Sequence, residues 1–170
     1  RMQAQITDLL RLAPLVRGEL RRQPVALSAA AAAVVDGLRQ RDADRRVAVR
    51  IAPGLTAVAD PALVGVLLEA LLDTAWKFTR DRADAEIAAA AGGDDGAAAF
   101  VVSDNGAGFD PSAAERLFRP FHRLHHRDEF DGNGIGLALA HKVVSRHGGR
   151  IWFDAAPGRG ARFWFTLAPA

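Results

Sequence analysis

Two hydrophobic periods alternate along the chain. Met2, Ile6, Leu9, Ala13, Val16 and Leu20 are spaced by four and three, an a/d seam that predicts a helix facing a partner helix, with an amphipathic helix packed on its own domain as the alternative. Pro14 removes a backbone donor inside this helix, and Gly18 weakens it further. Residues 24–27 predict a short strand, with Ser28 as cap of an Ala-rich helix carrying Val34, Val35 and Leu38. Val47, Val49 and Ile51 alternate through residues 46–52, the pattern of a half-buried strand, and residues 56–59 predict a second one. Asp60 caps the next predicted helix, which has Pro61 in its first turn and runs to Phe78. Its apolar positions cover more than one face, which predicts a central place in the fold.

Residues 85–91 and 97–102 predict a hairpin around a Gly- and Asp-rich turn. Residues 111–117 predict a short helix, and the charged stretch 119–133 a long loop. A helix follows over 134–147, ended by Gly148 and Gly149. Two strands over 150–154 and 161–167 close the chain. The expected fold is α+β: a two-layer α/β sandwich with a mixed sheet and helices against one face, preceded by an N-terminal helix.

Composition narrows the function. The chain has 170 residues, 49% of them hydrophobic, so it can bury a core. With no cysteine there is neither a disulfide framework nor thiolate chemistry. No apolar run approaches the roughly 20 residues of a membrane span, and no signal peptide is visible. Hence a cytoplasmic location is expected, with no membrane contact by this stretch. Net charge is only +2, and the basic residues are interspersed with acids, so no nucleic-acid partner is expected. Residue 1 is Arg1, which suggests a piece of a longer protein whose membrane or sensory segments lie upstream.

Three segments carry candidate chemistry. In 101–109 a strand ends in Asp104, followed by Gly106 and Gly108. A carboxylate there can accept a hydrogen bond from an exocyclic amine, and glycines permit close backbone approach. Gly132, Gly134 and Gly136 precede Leu137 at the start of a helix, where exposed amides and the helix dipole suit phosphate. They do not follow a strand in a βαβ unit, which removes a dinucleotide-binding reading. The third segment is the end of the central helix, where Lys77 can either reach a phosphate or complement the helix dipole. His122, His125 and His126 lack a cysteine or a fourth ligand and read as a solvated cluster. His141 and His147 read as structural, and Trp76, Trp152 and Trp164 as packing residues.

The order of five motifs resembles one family: the 69–79 helix segment, Asp104-x-Gly106-x-Gly108, Leu117-Phe118-Arg119-Pro120-Phe121, Gly132-x-Gly134-x-Gly136-Leu137, and Gly158-x-Gly160-Ala161-x-Phe163. The pattern is similar to the Bergerat (GHKL) ATP-binding catalytic domain of sensor histidine kinases. Within them it resembles the phytochrome-like and PAS-type branch, in which Arg123-Leu124-His125, Gly148-Gly149 and Trp152 also have counterparts. The resemblance implies that residues 1–22 are the end of the second dimerisation-hairpin helix and 23–170 the ATP-binding domain.

It also implies roles. Asp104 would bind the adenine amino group in a pocket shaped by Gly106 and Gly108. Lys77 and Arg123 would be catalytic and contact the phosphates, with His125 assisting. Residues 119–133 would be an ATP lid anchored by Phe118 and Phe121, hinged at Gly132, Gly134 and Gly136 beside Leu137. ATP and Mg²⁺ would be bound and the γ-phosphoryl passed to a histidine on the missing hairpin. The partners would be that hairpin, in a homodimer, and a response-regulator receiver domain.

The chain departs from the family's N box, where two asparagines stand at the positions of Ala70 and Thr74. The second asparagine supplies an oxygen to Mg²⁺, so Thr74 implies a weak or water-mediated metal contact. This favours a second reading, a degenerate ATP-binding domain acting as a signalling scaffold. Hydrolytic relatives such as gyrase, mismatch-repair and heat-shock ATPases place a glutamate base where Ala70 stands. Glu69 is one residue away, about 100° around the helix, so the hydrolytic reading fails.

Overall fold

The computed structural model describes residues 18–92, 99–109 and 136–167. Among these residues, seven strands and three helices follow in order: β1 (Gln23–Ala26), α1 (Leu27–Arg41), β2 (Ala48–Ile51), β3 (Thr56–Ala59), α2 (Pro61–Phe78), β4 (Glu86–Ala91), β5 (Ala99–Asp104), α3 (Gly136–Arg146), β6 (Ile151–Ala155) and β7 (Ala161–Thr166). Five strands form one sheet in the order β2-β4-β5-β7-β6, and β1 pairs with β3 separately. β2 runs parallel to β4 while the other neighbours are antiparallel, so the sheet is mixed as expected.

Register explains the core. Ile51, Ala89, Val102, Phe163 and Phe153 form one cross-strand row, and Ala91, Phe100, Phe165 and Ile151 the next. These rows face the helices: Ala89, Val102, Phe163 and Phe165 are buried, and Ile51, Phe100, Ile151 and Phe153 are partly buried against the core. A third row on the same face runs Val49, Ile87, Asp104, Ala161, Ala155. It places a carboxylate on the core side of the sheet beside two alanines. On the opposite face, Trp152 and Trp164 stack across strands 6.1 Å apart, as packing residues.

Helix α2 is the centre of the helical layer and packs against both α1 and α3. Leu63, Val64, Leu67, Leu68, Leu71, Leu72, Ala75 and Trp76 are all buried, which accounts for the all-round apolar pattern. Asp60 caps it as expected: Oδ1 accepts from the amides of Ala62 (3.0 Å) and Leu63 (3.4 Å). Trp76 donates its indole N–H to Asp42 at 2.7 Å, while the Arg45 guanidinium lies 4.8 Å over its ring.

Two sequence expectations are corrected. Ser28 does not cap α1, which already begins at Leu27. Its hydroxyl donates to Ala52 O (2.6 Å) and accepts from Leu55 N (2.9 Å). The helix amides of Leu27 and Ser28 instead meet Leu55 O, a carbonyl from the β2–β3 turn. The helix expected to run to Leu20 is not seen at its end: Gly18 has φ +85 and residues 18–22 are not helical. Leu20 packs against this domain's own core rather than a partner helix. The rest of the seam, Met2 to Val16, lies outside the described residues, as does the short helix expected at 111–117. Among the described residues, no helix is long and apolar enough to cross a membrane.

Candidate nucleotide site

Asp104 is the last residue of β5 and is largely buried on the helix-facing side of the sheet. Burial pushes its carboxyl up to about 6 from an ordinary 3.8; backbone N–H bonds from Gly106 and Ala161 partly oppose the shift. Gly106 N reaches Oδ1 at 2.8 Å. The protein thus holds a desolvated acceptor at a strand end, at a real electrostatic cost. Such a group is a functional candidate on physical grounds.

The glycines after it serve close contacts within the chain. A Cβ on Gly106 would lie 2.3 Å from Phe78 O, the carbonyl at the end of α2. One on Gly108, whose φ is +66, would lie 2.0 Å from Ala156 O. The loop is bonded on both sides: Ala107 N donates to Phe78 O (3.0 Å), and Gly158 N donates to Ala107 O (2.6 Å). Gly160, at φ +76, passes so close to Asp104 that a Cβ would meet its carbonyl at 2.1 Å. The Gly158–Gly160 turn is therefore part of the same construction.

Two residues not given a role from sequence complete it. Asn105 accepts from Glu86 N (2.8 Å) and donates to Asp84 O (2.9 Å), tying the end of β5 to the start of β4. Phe109 is buried, its ring centroid 4.9 Å from Phe153 and 6.0 Å from Phe163, which anchors the loop's far end. A polar residue and an aromatic flanking a glycine pair were legible as signals, but their partners are far away in sequence.

Lys77 and Phe78 end α2 beside this loop. Lys77 Nζ lies 2.9 Å from Asp73 Oδ2, and Arg41 from α1 takes Oδ1 at the same distance. The lysine is three-quarters covered but reaches the surface. Thr79 behind it is fully buried: its hydroxyl donates to Ala75 O and Trp76 O and accepts from Arg45. The helix end that carries Lys77 is therefore clamped.

Thr74 turns its hydroxyl onto its own helix and donates to Ala70 O at 2.8 Å. Asp73, the nearest carboxylate, is already shared by two cations. Among the described residues no group of three or more potential ligands could hold a metal ion. The donors present at the N-box positions do not fit Mg²⁺, which needs several oxygens in near-octahedral order.

Gly136 is the first residue of α3, and a side chain there would meet none of the described residues. Leu137 packs partly buried against the core. The structure thus brings Asp104, Gly106, Gly108 and Lys77 together around the end of α2. Arg123, His125, Gly132 and Gly134, with the lid expectation and His122 and His126, lie outside the described residues.

The sequence profile of the histidine kinase-, DNA gyrase B- and HSP90-like ATPases matches residues 59–170, which include Lys77, Asp104 and the glycines that follow it. The chain belongs to this family. Among these ATPases it is similar to cyanobacterial phytochrome A of Nostoc sp., with 34% identity over 98% of this chain. It is also similar to the methanogenesis regulatory histidine kinase FilI of Methanothrix harundinacea, with 36% identity over 72% of the chain. The chain spans 22% of the length of the first and 14% of the second. Full-length ShkA, solved in complex with AMPPNP, superposes with a TM-score of 0.78 and 27% identity over 99% of this chain and 37% of that one. The mycobacterial sensor histidine kinase MprB gives 0.70 and 25% identity over 86% of this chain and 97% of that one. The domain is an ATP-binding catalytic domain of histidine kinase type.

Proposed function

We propose that this domain binds ATP through Asp104 and passes its γ-phosphoryl group to a histidine on a dimerisation hairpin elsewhere in the full protein. The carrying observation is the desolvated Asp104 carboxylate beside a loop that two glycines press against the end of α2. A buried acceptor there suits an exocyclic amine, and the AMPPNP complex of the similar ShkA supports an adenine nucleotide as ligand.

In this reading Lys77 exchanges Asp73 for a phosphate oxygen, and Arg41 retains Asp73 so that the carboxylate stays paired. Arg123 and His125 contact the phosphates from the lid, 119–133. Gly132, Gly134 and Gly136 present backbone amides at the start of α3, with Leu137 anchoring that end. The acceptor imidazole forms a bond to the γ-phosphorus while the bond to the bridging oxygen breaks and ADP leaves. The hairpin ends before Gly18, and the nucleotide domain occupies the remainder. The full protein is a homodimer through its hairpins and hands the phosphoryl group to a receiver domain, at the cytoplasmic side. No nucleic acid and no membrane contact by this domain enter the reading.

One observation favours a second reading, a domain that binds nucleotide but turns over slowly as a signalling scaffold. Thr74 Oγ1 is turned back along its own helix toward Ala70 O, and its side chain is one bond shorter than an asparagine carboxamide. Metal neutralises charge on the phosphates, so its weak binding falls on rate more than on adenine affinity.

The two readings separate in one experiment. With a supplied hairpin and labelled ATP, the domain should label the hairpin histidine slowly, with weak dependence on Mg²⁺. Ala70→Asn with Thr74→Asn should raise both the rate and its Mg²⁺ dependence. A wild-type rate equal to that of the double variant would show that Thr74 is no handicap, and no labelling in either would reject phosphotransfer.

A further inference from the structure

His147 is fully buried at the carboxyl end of α3, and the proposed chemistry does not use it. Its Nε2 lies 3.1 Å from Asp60 N, and its Nδ1 2.8 Å from Val143 O. A backbone amide only donates, so Nε2 accepts and Nδ1 carries the proton. Asp60 is thereby held by its own amide, and both its oxygens are in use. Oδ1 caps α2, and Oδ2 accepts from Arg21 N at 3.1 Å.

The segment entering the domain is secured at three points. Arg21 donates its amide to Asp60, and Arg22 Nη2 reaches His147 O at 3.4 Å. Arg146, beside His147 on α3, donates to Gly18 O at 2.6 Å. Leu20 packs against the core between them. Residues 18–22, neither helix nor strand, are therefore fixed to the amino end of α2 and the carboxyl end of α3. A segment with bonds to two helices at several points is a poor hinge.

We propose that Asp60 and His147 are positioning residues for phosphoryl transfer: they fix the direction in which the chain leaves the domain at Gly18. The proposal rests on the phosphotransfer reading, in which the acceptor histidine is carried by the chain that precedes Gly18. Transfer needs that imidazole in line with the γ-phosphorus, and small misplacements slow such steps severely. Helix α2 has 18 residues and so is about 27 Å long. The junction sits at its amino end and the nucleotide loop at its carboxyl end. Loosening the junction therefore lowers the transfer rate without altering the nucleotide contacts.

Two variants of the full-length protein separate this from general destabilisation. His147→Leu keeps bulk and burial but removes the acceptor for Asp60 N. Asp60→Ser keeps a helix cap but cannot also reach Arg21 N. Each should lower kcat for hairpin phosphorylation about ten-fold or more, while KM for ATP and calorimetric ADP affinity stay within about two-fold. His147→Gln, whose amide oxygen reaches the place of Nε2, should recover most of the rate. Unchanged kcat in both variants overturns the proposal. So does a loss of ADP affinity in step with kcat, which is what simple unfolding gives. If the wild-type protein transfers no phosphoryl group, the phosphotransfer reading fails on its own. Amide exchange then decides the junction: Arg21 should lose protection in Asp60→Ser while Ala107 keeps it. Equal protection of Arg21 in variant and wild type overturns the junction.

Discussion

Asp104→Asn should weaken ADP binding by about ten- to a hundred-fold and at the same time raise stability at neutral pH. The first effect follows from replacing a charged acceptor by an amide, since hydrogen bonds to charged groups contribute roughly 1.5–3 kcal/mol. The second follows from the raised carboxyl pKa, about 6 against an ordinary 3.8. An acid whose folded pKa is raised stabilises fully below its unfolded value and loses that contribution as pH rises through the folded value. Between about pH 4 and pH 8 the wild type should therefore lose up to about 3 kcal/mol relative to the non-titrating asparagine variant. Denaturant unfolding of both proteins at both pH values measures this, because the other titrating groups cancel in the difference. ADP affinity of the wild type should also fall as pH drops below about 6, where the acceptor becomes protonated. A stability difference independent of pH, together with unchanged affinity, would remove Asp104 from the site.

Gly106→Ala should destabilise the domain by about 3 kcal/mol or more and reduce ADP affinity with it. The added Cβ would lie 2.3 Å from Phe78 O and 2.6 Å from Phe78 C. Neither side yields easily. Gly106 N is bonded to Asp104 Oδ1, Ala107 N to Phe78 O, and the end of α2 is held through Thr79 and Arg45. Relief requires moving the loop away from the end of α2, the arrangement on which the proposed nucleotide site rests. Gly37→Ala provides the control. Gly37 lies inside α1, and a Cβ there would have nothing within 4 Å, so the change should stabilise by about 0.5–1 kcal/mol. Thermal unfolding of the two variants should shift in opposite directions; similar shifts would contradict the close approach at Gly106.

The fold was legible wherever a local signal coincided with the tertiary arrangement. Asp60 followed by Pro61 marks a helix start in any context, and the apolar positions of α2 on several faces required cover on several sides. Alternation placed β2 through β7 within a few residues. The errors have a common cause. Ser28 has the chemistry of a cap, but Leu55 O, from a turn 27 residues away, satisfies the helix amides instead. Leu20 continues a heptad spacing, yet Gly18 has positive φ, residues 18–22 are not helical, and that leucine packs on the domain's own core.

The candidate site shows the same division. Asp104, Gly106, Gly108 and Lys77 were readable as an ordered motif set. The physical requirement for the glycines was not, because Phe78 O and Ala156 O are supplied by other elements. Asn105, Phe109 and His147 depend on partners 19 or more residues away, the last on an amide 87 residues distant. No local pattern reports such contacts.

Everything proposed for the nucleotide site depends on a carboxylate that reads the adenine amine. Adenine and guanine differ at that position, one presenting an amino donor and the other a carbonyl acceptor. Calorimetric titration of the wild-type domain with ADP and with GDP at about pH 8, where Asp104 is ionised, decides whether it does. ADP should bind, and GDP should bind at least about ten-fold more weakly, since its carbonyl would face the Asp104 carboxylate. Equal affinity for the two nucleotides, or binding of neither, would contradict that role for Asp104.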